Sequence, residues 1–133
     1  MIGVRRDEGA AAVDFILVSI LLLGLFLLVA QVGIAVHVRN VVAASAAEGA
    51  RYAAAANRTP QQGAAKAQAS IREALGSRVS SAIRCVPAGA GGIVVNGGVR
   101  FVDILCSGRL PIVFGPSPKV VIRVHGHALE ESG

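Results

Sequence analysis

The sequence has no tryptophan, one tyrosine, one methionine and four phenylalanines. Only Tyr52, Phe101 and Phe114 are aromatic outside its long apolar run. That excludes the stacking platforms that hold single-stranded nucleic acid, and leaves a small, aromatic-poor core that must lean on other support. No Gly-Lys-Ser/Thr follows the glycine-rich stretch Gly89–Gly98, so a phosphate loop is excluded and a hairpin explains the glycines. Internal repeats are absent. Acids are scarce, 8 against 13 lysines and arginines, for a net charge of +5. Past residue 36 the balance is 11 basic against 5 acidic, read as a solvated basic surface with no specific nucleic-acid partner. Charge is missing altogether from Phe15 to Val36, where only Ser19 and Gln31 are clearly polar.

That uncharged run is what the chain is organised around. As a helix it would extend roughly 33 Å, enough to cross the hydrocarbon core of a bilayer. It is too long for the apolar region of a secretory signal, although Ala43-Ala44-Ser45-Ala46 imitates a cleavage site. An uncleaved anchor explains the run but not Asp14 at its mouth, because a carboxylate close to a membrane core is costly and usually functional. A polar head, Met1 to Gly9, precedes it and carries Arg5 and Arg6. Arg39 and Arg51 follow the run, so the distribution of positive charge does not fix its orientation.

Cleavage after Gly9 would make Ala10 the first residue and Asp14 the fifth, just over one helical turn away. This layout resembles the class III signal of type IV prepilins. More narrowly, Arg-Arg-Asp-Glu-Gly-Ala-Ala-Ala-Val-Asp-Phe-Ile-Leu-Val, beginning at Arg5, resembles the start of TadE-like minor pilins of the tight-adherence (Tad, Flp) system. The likeness is specific from residue 5 to about 40. It implies a leader over 1–9, processing by a prepilin peptidase between Gly9 and Ala10, and an assembly role for Asp14 and its neighbour Phe15. It also implies a cytoplasmic N-terminus, an extracytoplasmic C-terminal domain, and incorporation into an extracellular pilus. The implied partners are the membrane, the peptidase, the major and other minor pilins, and the Tad assembly platform. One departure stands out: the family acid is usually Glu, and Asp14 is one methylene shorter. The other reading is an uncleaved single-pass envelope protein whose exterior domain binds a partner. Neither reading is enzymatic.

The rest of the chain predicts an α+β module: a long N-terminal transmembrane helix forming a pilin-like spine, a short second helix and a small antiparallel sheet. Residues 35–56 contain no proline and one glycine and are rich in alanine, so the helix should continue to about Ala56, with the span over 15–36. Ala43, Ala47, Ala50 and Ala54 make a narrow face, read as packing on its own domain, 57–133. Thr59-Pro60-Gln61-Gln62 reads as a capping box opening a second helix. Its inner face is Ala64, Ala67, Ile71, Ala74 and Leu75, and Gly76 is its stop. A strand is expected over Val79–Cys85, then a hairpin over Ile93–Val102 turning at Asn96-Gly97 and running on to about Cys106. Ser107–Pro118 reads as a loop, Lys119–His127 as the last strand and Glu130–Gly133 as a solvated tail.

Cys85 and Cys106 are the only cysteines. In an oxidising exterior they should pair, which requires their strands to be neighbours; in the cytoplasm they would be free buried thiols. His125 and His127 share a strand face, but the sequence places no third ligand. They read as solvent-facing, with no metal site and no cofactor. Asp103, His125 and Cys106 can be drawn as a catalytic set, yet no motif fixes their geometry.

Overall fold

The computed structural model describes residues 7–55, 57–110 and 120–130. Arg5 and Arg6 of the expected leader, residues 111–118 of the expected loop and residues 131–133 of the expected tail lie outside them. The elements are helices α1 (Asp7–Ala54) and α2 (Pro60–Ser80) and strands β1 (Ile83–Pro87), β2 (Ile93–Asn96), β3 (Val99–Leu110) and β4 (Val120–Leu129). All strand pairs are antiparallel. This is the α+β class read from the sequence.

The chain divides into two units, Met1–Ala35 and Val36–Gly133, and α1 runs through the boundary. The first unit is the apolar part of α1. Sixteen large hydrophobic side chains from Val13 to Val36 are exposed, Phe15 at 73% and Leu21 at 72%. Apolar surface on that scale is not tolerated in water. This segment is long and apolar enough to cross a membrane. Gly9 is helical, within α1.

In the second unit, α1 turns from leucine-rich to alanine-rich, and its inward face is Val38, Val42, Ala46, Ala50, Ala53 and Ala54. The expected face held in part, because Ala50 and Ala54 are buried whereas Ala43 and Ala47 are half-buried. Small side chains let α2 approach closely. A Cβ added to Gly63 would lie 2.5 Å from both the Ala53 Cβ and the Gly49 carbonyl oxygen. Because one of those atoms is backbone, Gly63→Ala must push the helices apart. It should destabilise the fold by about 1–3 kcal/mol, read as a lower denaturation midpoint. An unchanged midpoint would contradict this packing.

The α2 start follows the sequence reading closely. The Thr59 side chain accepts from the Gln62 backbone N–H, and the Gln62 side chain accepts from the Thr59 N–H. Ala64, Ala67 and Ile71 are buried, but Ala74 is exposed. Lys66 and Ser70 on α2 hold the Glu48 carboxyl of α1 below the usual carboxylate range, at 3.2 Å and 3.0 Å. The stabilisation is present above the unfolded carboxylate pKa of about 4.3 and fades as pH falls through the lowered value. The side chains of Glu48 and Lys66 are roughly half exposed, so it amounts to under about 1 kcal/mol.

Gly76 interrupts α2 with φ +78°, but one further helical turn follows to Ser80. The expected strand start at Val79 is therefore wrong, and β1 begins at Ile83. The Ser80 and Ser81 hydroxyls donate to the carbonyls of Ser77 and Arg78, and the Ser81 N–H donates to Ser77. Those local bonds favour a turn over the alternation of Val79, Ser81 and Ile83. Gln68 then ties α2 to β1: its amide donates to the carbonyls of Ser80 and Ile83 and accepts from the Cys85 N–H.

β3 is the central strand. β4 pairs with Phe101–Leu110, while β2 pairs with Val99–Val102 and β1 with Ile104–Gly108. Since β4 occupies one edge of β3, β1 and β2 must share the other, end to end. The hairpin exists as read, but its turn is shifted by one residue. Asn96 pairs with Val99, leaving Gly97 and Gly98 as the two turn residues, with φ +60° and +81°. Both central positions of a type I′ turn need positive φ, so Gly-Gly is preferred over Asn-Gly here. β3 also runs to Leu110, past the expected end near Cys106, and so takes the first residues of the expected loop into the sheet.

One face of the sheet carries Ile83, Cys85, Val102, Ile104, Cys106 and Ile122 into the core. Among the described residues, no aromatic side chain belongs to the buried core.

Candidate functional site

Two places carry the residues singled out by sequence. The first is the head of α1. Gly9, Ala10, Asp14 and Phe15 all lie on the helix and all are exposed. A Cβ on Gly9 would meet nothing within 4 Å, so packing within the chain does not demand a glycine there. Ala10 and Asp14 stand four residues apart on a continuous helix, which puts them on one face about 6 Å apart along the axis. Asp14 is the only charged residue between Gly9 and Val38. No salt bridge or side-chain hydrogen bond engages it among the described residues.

The second place is on the outward face of the sheet. Asp103 lies at the junction where β1 and β2 meet along β3. Its N–H donates to the Gly92 carbonyl at 2.8 Å, and its carbonyl accepts from the Ala88 N–H at 2.9 Å. The β1–β2 loop is thus bonded to the edge of β3 at Asp103, a residue that is 6% exposed although it faces away from the core. His127 is its direct partner on β4, and His125 is two residues away on the same face. The Asp103 carboxylate lies 3.1 Å from His125 Nδ1 and 3.5 Å from His127 Nδ1. The two imidazoles stack, 5.9 Å between centroids and 10° between planes.

Sequence reading lacked a third group beside the histidines, and the structure supplies it in Asp103. The catalytic set drawn from the sequence does not assemble. Asp103 and His125 meet, but Cys106 points into the opposite face and is bonded to Cys85. Those cysteines are direct cross-strand partners on β1 and β3, the neighbouring strands that their pairing requires.

The model of the TadE-like protein family matches residues 9–51. The match covers α1 from Gly9 nearly to its end, less than half of the chain, and agrees with the resemblance read from the leader and apolar run. Neither a curated protein nor a solved structure matches the chain.

Proposed function

Starting from the TadE-like segment, we propose that the chain is a minor pilin or pseudopilin of a Tad-type pilus. In this reading a prepilin peptidase cuts between Gly9 and Ala10, and α1 then serves as the membrane anchor and assembly spine. The domain from residue 57 onward faces the exterior. One observation carries the proposal above the others: the carboxylate of Asp14, the only charged residue between Gly9 and Val38, stands one helical turn from Ala10 on a bare apolar helix. An anchor alone has no use for a charge at that place. A newly formed ammonium on Ala10 gives it a partner, on the same or a neighbouring subunit. The disulfide also suits an oxidising exterior.

Glycine at position 9 is explained by recognition, since nothing in the fold requires it. Gly9→Leu should therefore leave α1 and the domain intact while uncleaved precursor accumulates in cells that hold the peptidase. Normal maturation of Gly9→Leu would contradict processing at this bond.

A further inference from the structure

We propose that Asp103, His125 and His127 form a Zn²⁺ site on the outward face of the sheet. This inference rests on the geometry of the domain and does not depend on the pilin reading.

Its starting point is an anion in an unusual place. Asp103 faces away from the core, yet its side chain is only 9% exposed. The two imidazoles are its side-chain partners among the described residues. A carboxylate withdrawn from water needs compensating charge. The imidazoles give it hydrogen bonds, whereas a divalent cation coordinated to it would give it full compensating charge.

The donor atoms are spaced for such an ion. Around a tetrahedral Zn²⁺ with bonds of 2.0–2.1 Å, neighbouring donors stand about 3.3 Å apart. From the single oxygen Asp103 Oδ1, His125 Nδ1 stands 3.2 Å away and His127 Nδ1 3.5 Å away. One donor from each of the three residues lies within 4.8 Å of the others. The histidine side chains are 43% and 58% exposed, which gives them room to close the remaining edge. Coordination uses the Nδ1 lone pair of each ring, which requires the ring's proton to sit on Nε2. Two imidazoles and one carboxylate suit Zn²⁺ better than Mg²⁺ or Ca²⁺, which prefer sites made wholly of oxygen. Three protein donors leave one position for water or for an outside ligand. An ion held there would bridge β3 and β4 directly.

The test is a calorimetric titration of ZnCl₂ into the full chain, purified in detergent without chelators. One Zn²⁺ per chain is expected, with no response to MgCl₂. His125→Gln and His127→Gln should each weaken binding at least about tenfold, and the double variant should abolish it. Glutamine keeps a hydrogen-bond donor for Asp103, and an unchanged circular dichroism spectrum would show that the fold survives. His37→Gln, which alters the one other histidine, should bind as the parent does. Nitrogen chemical shifts should assign Nδ1 of His125 and His127 as the liganding atoms. Absence of Zn²⁺ binding by the parent, or full binding by the double variant, would overturn the proposal.

Discussion

Asp14→Ala should leave the chain membrane-inserted, matured and folded, yet reduce its incorporation into pili by about tenfold or more. The first half of this expectation follows from geometry. Asp14 makes no salt bridge or side-chain hydrogen bond among the described residues, and its side chain is exposed. Its removal therefore deletes no contact that holds the chain together. As a bare helix-end charge it would be worth under about 1 kcal/mol through the macrodipole. The second half follows from the medium. In low dielectric, an aspartate facing the ammonium of a cleaved Ala10 makes a charge-assisted bond of about 1.5–3 kcal/mol, which is roughly tenfold or more in a binding equilibrium. That bond forms only after cleavage, so its effect belongs to assembly and not to folding. Asp14→Glu should incorporate normally, because it restores the length usual in the family the segment resembles. Quantitative blotting of sheared pili against membranes would read both variants. Normal incorporation of Asp14→Ala would reduce Asp14 to a helix-end charge.

Loss of the Cys85–Cys106 bond should cost about 3 kcal/mol, the loop-closure contribution for the sequence separation of 21. For a domain whose buried core has no aromatic side chain among the described residues, that is a large share of the whole. Cys106 is fully buried and Cys85 nearly so, and neither can be reached without opening the sheet. Native protein should consequently show no alkylatable thiol. Reductant should lower the denaturation midpoint, and Cys85→Ala and Cys106→Ala should lower it by similar amounts because each breaks the same bond. A midpoint indifferent to reductant would contradict the role given to this bond.

Local chemistry was the legible part of this chain. The capping box of Thr59 and Gln62 works through bonds spanning three residues, and the sequence displays all of it. The apolar run and the alanine-rich extension likewise announced α1, because composition alone determines which solvent such a helix tolerates. Errors arose where two local rules competed. Val79-Ser80-Ser81-Ala82-Ile83 alternates like a strand, but its serines bond to nearby carbonyls and hold a helical turn. Asn96-Gly97-Gly98 offers two overlapping turns, and the register between Val99 and Asn96 chooses the second. The Asp103 cluster was out of reach for a different reason. It depends on the β3–β4 register, and the connection over 111–119 leaves that register open. The His125–His127 pair pointed to one face of a strand; nothing in the sequence placed Asp103 across from it. Gln68, which ties α2 to β1 through three bonds, gave no signal beyond being a polar residue on a helix.

Processing at Gly9 is the claim on which the rest of the functional account stands, because it creates the amine that gives Asp14 its purpose. The most direct measurement is the intact mass of the chain isolated from native membranes that contain the prepilin peptidase. The account predicts a polypeptide that begins at Ala10. A chain that retains Met1 under those conditions would contradict it.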